Sequence, residues 1–190
     1  MALINNAHLS RRKLLGAFAG IATVTAAPAY ANVFGFLKGA GDVRRVKMYS
    51  QRTGEMVDTI YWVEGEYIKE AMKEINWFMR DWRKNEAINY DPRNVDIMAA
   101  TQRLLETTEP FNMVSGYRSP ETNAMLRRRN RGVASKSYHT KGMAADLKLR
   151  SRSVEQMAAA AEACNSGGVG KYRRSKFVHM DSGPIRTWKG

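Results

Sequence analysis

Two short stretches of this chain carry residue types that could hold a divalent cation and use it for hydrolysis. Ser135 to Asp146 reads Ser-Lys-Ser-Tyr-His-Thr-Lys-Gly-Met-Ala-Ala-Asp, with an imidazole at His139, a carboxylate at Asp146 and Gly142 between them. Lys176 to Asp181 reads Lys-Phe-Val-His-Met-Asp and adds a second imidazole at His179 and a second carboxylate at Asp181. The chain has 3 histidines, and the remaining one, His8, falls in a segment expected to be removed. Two histidines, one carboxylate and an open fourth position make a ligand set that catalytic zinc uses. A lone histidine in an apolar strand is more often a hydrogen-bonded core residue, but here three features coincide. His179 and Asp181 are two apart and would share one face of a strand. Asp146 and His179 fall in separate short strands whose side chains could converge. Gly142 permits the sharp loop that would swing His139 back over the strand.

The elements that must position these groups read as an α+β fold, with helices packed on a small, mainly antiparallel sheet. Arg45 to Tyr49 and Glu55 to Val63, joined by Gln51-Arg-Thr-Gly54, predict a hairpin. Apolar residues at three-four spacing predict the longest helix over Glu66 to Lys84, with Tyr67 and Trp82 on its buried stripe. Asn94 is a candidate cap for a helix from Val95 to about Thr107, with Leu104 facing inward. Phe111 to Ser115 predicts a buried strand. Ser119 with Pro120 starts another helix, running to about Asn130. Ala144 to Leu149 is a strand, and Ser153 with Gln156 forms a capping-box pattern for a helix over Val154 to Ala163. Asn165 to Gly170 reads as a glycine-rich turn, without the Lys-Ser/Thr ending of a phosphate loop. Phe177 to Met180 and Ile185 to Trp188 are closing strands.

The N-terminus resembles a bacterial twin-arginine export signal. Arg11-Arg12-Lys13 precedes an uncharged run from Leu14 to Ala29, and Ala29-Tyr30-Ala31 reads as a cleavage site. The run is shorter than the ~20 residues a spanning helix needs. Residues 1–31 are therefore expected to be a cleaved signal and residues 32–190 a single domain, periplasmic and with no stable membrane span. Losing Arg11, Arg12 and Lys13 takes the formal charge from +13 to +10. That charge suits a polyanionic surface such as the cell wall. The basic residues are scattered, and no nucleic-acid-binding signature accompanies them, so nucleic acid is not an expected partner. The single cysteine, Cys164, forms no internal disulfide and reads as a small buried residue.

With Ser137-x-His139-x-x-Gly142-x-Ala144-x-Asp146 followed by Phe177-Val-His179-x-Asp181, the chain resembles the zinc D-Ala-D-Ala carboxypeptidase and murein endopeptidase family. That family is the bacterial relative of the lysostaphin-type and hedgehog folds. Within it, the chain looks most like the exported murein endopeptidases with a twin-arginine signal. The similarity covers most of the mature chain, including Ser115-Gly-Tyr-Arg118-Ser-Pro.

The resemblance implies Zn²⁺ as cofactor, with His139, Asp146 and His179 as its ligands. It implies that Arg118 steadies a substrate carboxylate or polarises the scissile carbonyl, a task suited to a rigid, always charged fork. It places Ser137 beside the metal, supporting the loop or the substrate. The expected activity is hydrolysis of peptide crosslinks in peptidoglycan by a metal-activated water. The alternatives are a D-Ala-D-Ala or LD-carboxypeptidase trimming stem peptides, and a non-catalytic, zinc-containing wall-binding module. The pattern departs from the family at Lys176, where several branches carry an acid, and at Phe177, where hedgehog-like relatives carry a histidine. Asp181 is then the nearest carboxylate for a general base, in competition with a role orienting a ligand imidazole.

Overall fold

A computed structural model describes residues 42–190. Residues 1–41, which include the expected export signal, lie outside the described residues. The first hairpin forms as its alternation predicts. β1 (Val43–Tyr49) buries Arg44, Val46 and Met48 and pairs antiparallel with β2 (Met56–Val63). Ser50 and Gly54 close the turn, Gly54 with φ of +73°.

Two helices differ from expectation. Glu66–Tyr67 forms a short strand, β3, paired on Trp62 and Val63 through a turn in which Glu64 and Gly65 both have positive φ. Helix α1 is therefore confined to Lys69–Phe78. A tertiary contact overrides the helical spacing here. The Tyr67 hydroxyl donates to Asp96 at 2.6 Å, alongside the Tyr61 hydroxyl at 2.8 Å and Arg44 at 2.8 Å. At the other end the chain turns away at the buried Asp81, which pairs its backbone with Glu86, and Trp82 is exposed. Helix α2 (Pro92–Leu104) is the longest among the described residues, at 13. Its N-cap is Asp91, whose side chain accepts from Arg93 N, with Pro92 in the first turn. Asn94 is instead buried and donates to Met180 O at 3.0 Å. Leu104, expected to face inward, is exposed.

The remaining elements are β4 (Phe111–Ser115), α3 (Pro120–Arg129), β5 (Ala144–Lys148), α4 (Val154–Ala163), β6 (Gly168–Tyr172), β7 (Phe177–Asp181) and β8 (Arg186–Lys189). Ser119 caps α3 by accepting from Thr122 N, and Ser153 with Gln156 forms the complete capping box of α4. The glycine-rich stretch read as a turn contributes strand β6. The eight strands run in the order β3-β2-β1-β4-β5-β7-β6-β8. β1/β4 and β6/β8 are parallel and the other neighbours antiparallel, which gives the expected α+β fold on a mainly antiparallel sheet. α2 is buried from Asn94 through Gln102. Its apolar side chains share one core with Val46, Phe111, Leu147, Val178 and Met180 of the sheet. Cys164 is buried and unpaired, with its thiol near Thr101 Oγ1. Among the described residues no helix is long and apolar enough to cross a membrane.

Candidate metal centre and cleft

The centre lies where β5 and β7 run side by side in the middle of the sheet. Their register sets Asp146 directly across from His179 and Ala144 across from Asp181. His139 arrives from a different direction, on a 3-10 turn over Tyr138–Lys141. Ser137 caps that turn by accepting from His139 N, and Gly142 ends it in the left-handed region with φ of +64°. The loop swings back over the strand at that glycine, where an L side chain would be strained.

Three atoms converge. His139 Nε2 is 3.2 Å from His179 Nδ1 and 3.2 Å from Asp146 Oδ1, and His179 Nδ1 is 2.8 Å from the same oxygen. All three residues are buried, at 2%, 4% and 8% exposure for His139, Asp146 and His179. The outer hydrogen bonds fix what the inner atoms present. His139 Nδ1 lies 2.7 Å from Gly116 O, and a carbonyl can only accept, so Nδ1 carries the proton and Nε2 a lone pair. His179 Nε2 lies 2.9 Å from Asp181 Oδ2, so in the neutral ring the proton sits on Nε2 and the Nδ1 lone pair faces inward. Two lone pairs and a carboxylate oxygen thus face one another in a buried space and call for a positive charge. Two of the three spacings, both 3.2 Å, are close to the about 3.3 Å that separates ligands about 2.0–2.1 Å from a tetrahedral zinc, and the 2.8 Å contact would open to admit the ion.

Titration follows the same logic. Burial lowers the His139 pKa and favours its neutral form. Burial also acts to lower that of His179, but hydrogen bonds with Asp146 and Asp181 outweigh it and raise the pKa to about 9. Burial would raise the Asp146 carboxyl, yet the two imidazoles hold it well below its usual range.

The Ser115-Gly-Tyr-Arg118 stretch surrounds the centre. Arg118 Nη2 donates to Asp146 Oδ2 at 2.6 Å and its Nε to Ser115 Oγ at 2.8 Å, so the guanidinium orients the carboxylate and neutralises its outer oxygen. Gly116 O is the acceptor that sets the His139 tautomer. A side chain at Gly116 would collide with Met79 O, the carbonyl that also accepts from Tyr117 N.

Asp181 is where geometry departs from the base reading. Its Oδ2 bonds the outward nitrogen of His179, and its oxygens also accept from Arg186 Nη1 and Nη2, Gly168 N and Gly183 N. It is fully buried and stands behind the imidazole, away from the three converging atoms. Burial would raise its pKa, but His179 and Arg186 keep the carboxylate well below the ordinary range. Ser137 likewise has its hydroxyl on the backbone of its own turn.

Arg186 and Trp188, legible in the sequence only as part of a closing strand, also border the centre. Arg186 grips Asp181 and lies 5.1 Å from the Tyr138 ring centroid, and the Trp188 ring is 5.2 Å from that of His179. Both need bare backbone beneath them. A Cβ on Gly168 would strike Arg186, and one on Gly170 would strike the indole. Glycines at positions two apart, on one face of a strand, were the available signal.

The centre forms the floor of a cleft of about 840 Å³ walled by Tyr138, Tyr172, Arg174, Arg186 and Trp188. A separate cavity of about 290 Å³, between β1 and α2, contains none of the expected site residues.

The family described as "Peptidoglycan L,D-endopeptidase MepK" matches residues 38–188 of the chain. The peptidoglycan L,D-endopeptidase MepK of Escherichia coli K12 is 40% identical over 181 residues, covering 94% of this chain and 97% of that protein. The Shigella flexneri protein of the same name matches to the same extent. The probable peptidoglycan L,D-endopeptidase MepK of Haemophilus influenzae is 37% identical over 139 residues, covering 73% of this chain and 75% of that protein. With its cleft and His-Asp-His centre carried on a sheet that this match spans, the chain belongs to the peptidoglycan L,D-endopeptidase MepK family.

Proposed function

We propose that this protein is a zinc-dependent endopeptidase that hydrolyses L,D peptide bonds in the crosslinks of peptidoglycan. It would act in the periplasm after export on the arginine-pair signal of residues 1–31. The observation that carries the metal reading is the meeting of the His139 Nε2 and His179 Nδ1 lone pairs with Asp146 Oδ1, each nitrogen fixed by an acceptor on its far side. Bound by these three residues, zinc would supply a Lewis acid that brings a water's pKa to about 7 and polarises the scissile carbonyl.

The protein's own groups then divide the remaining tasks. Arg118 holds Asp146 so that Oδ1 faces inward, and its charge on the cleft wall favours the negative oxygen that develops during attack on an amide. Asp181 and Arg186 act as positioning residues. The carboxylate keeps the His179 proton on Nε2, and the guanidinium keeps the carboxylate ionised and in place. This is the orienting role for Asp181 rather than the base role. Ser137 acts through the His139 turn and not on substrate.

The test is zinc content by mass spectrometry together with digestion of isolated sacculi and identification of the released muropeptides. Wild type is expected to carry one zinc per chain and to release L,D-cleaved products, while His139→Ala loses both. A wild type that binds zinc and leaves sacculi and purified crosslinked muropeptides intact would favour the non-catalytic wall-binding reading.

A further inference from the structure

The basic residues around the cleft fall into two groups. Lys171 is paired with Glu162 at 2.8 Å and Arg173 with Glu155 at 2.6 Å, both against α4. Arg118 and Arg186 are bound to Asp146 and Asp181. Lys136, Arg174 and Lys189 also line the cleft, yet none of them has an ion pair among the described residues. The contrast is local, because Arg173 and Arg174 are sequence neighbours and only the first is neutralised. Among the described residues Asp146 is the only acidic side chain lining the cleft, and it is buried and saturated by Arg118 and the imidazoles. Three uncompensated cations on one concave surface repel each other, and an anionic ligand relieves that repulsion. Beside them Tyr172 and Phe177 stack at 4.4 Å, an apolar wall for the body of a peptide.

We propose that Lys136, Arg174 and Lys189 form a carboxylate-recognition subsite on the cleft rim, which selects crosslinked stem peptides by their free acid groups. The inference deepens the endopeptidase reading and rests on it. The acid groups of a stem peptide are carboxylates, and flexible ammonium groups with one guanidinium can follow them without fixed geometry.

Steady-state kinetics of the zinc-loaded full chain would test it, on one crosslinked muropeptide in two forms, with carboxylates free or amidated. Wild type is expected to show the lower KM for the free acid, with that advantage shrinking as salt rises. Lys136→Ala, Arg174→Ala and Lys189→Ala should each raise that KM by roughly two- to fivefold, as exposed ion pairs do. The triple variant should raise it about tenfold or more, with kcat held and the amidated substrate unaffected. Equal KM values for the two forms in wild type, or unchanged KM in the triple variant, would overturn the subsite while leaving the peptidase intact. If wild type turns over neither form, the endopeptidase reading fails. Calorimetric titration of the same two peptides into wild type and triple variant then decides the rim separately: preference for the acid form, lost in the variant, upholds it, and indifference sinks it.

Discussion

Asp181 shows how much chemistry depends on which side of an imidazole a carboxylate takes. Bonded to the outward nitrogen of His179, it sets a tautomer; facing the converging atoms, it would accept a proton from water. The two roles predict different losses in Asp181→Asn. An amide oxygen can still accept from Nε2–H but carries no charge, so zinc affinity should fall about 10- to 100-fold, with kcat recovering at saturating zinc. A general base would instead cost about 10²- to 10⁴-fold in kcat with zinc affinity retained. Chelator competition and kinetics at saturating zinc separate the two. The same residues determine the response to pH. In metal-free protein the His179 pKa of about 9 lies above its ordinary 6.5, so its contribution to stability is complete below 6.5 and is lost as pH rises through 9. Asp146 and Asp181, depressed below 3.8, contribute above that value and lose their contribution as pH falls beneath it. Thermal unfolding of chelator-treated protein should therefore show greatest stability near pH 6.5. Stability declines above as His179 loses its proton, declines below because burial of His139 disfavours its charged form, and falls further beneath 3.8 as the carboxylates are protonated. Added zinc should remove the alkaline decline, because the cation replaces the proton.

At the scale of elements, the centre depends on two adjacent strands and one turn that must arrive at the right height. The strands are held by register, since Asp146 and His179 face each other across a ladder. The turn is held by caps and by the end of β4. Gly116 is the joint: its carbonyl orients His139, and its missing side chain lets the backbone lie against Met79. Gly116→Ala is expected to push the two segments apart, destabilising the protein by about 1–3 kcal/mol and weakening zinc binding through the displaced carbonyl. Urea unfolding and zinc competition on one preparation would measure both. Ser153→Ala provides the contrast. It removes the α4 capping box at a cost of about 1 kcal/mol, far from the centre, and should leave zinc affinity unchanged.

For the whole molecule the surplus of positive charge decides how the protein meets its substrate. A formal charge near +10 on the chain after residue 31 attracts a wall carrying acid groups. Binding of the catalytically inactive His139→Ala protein to isolated sacculi should weaken as ionic strength rises and the Debye length falls from about 10 Å at 0.1 M to about 3 Å at 1 M. Retention that stays constant across that range in a cosedimentation assay would show that contacts other than charge hold the protein to the wall.

What the sequence determined by itself is what local chemistry determines. The Ser119 and Ser153 caps, the first hairpin and the glycine that ends the His139 turn follow from hydrogen bonds and sterics within a few residues, and they are legible without the fold. The murein peptidase family was legible as well, because its two motifs keep their residue types and spacing. Only the tertiary structure decided the rest. β3 displaced the start of a helix because Tyr67 reaches Asp96, 29 positions away. β6 emerged from a glycine-rich stretch because Arg186 and Trp188 lie over its bare face. Asp181 faced away because Arg186, on the next strand, holds it there. Contacts of that kind carry no periodicity along the chain, so spacing indicates which groups can react, and packing decides which way they point.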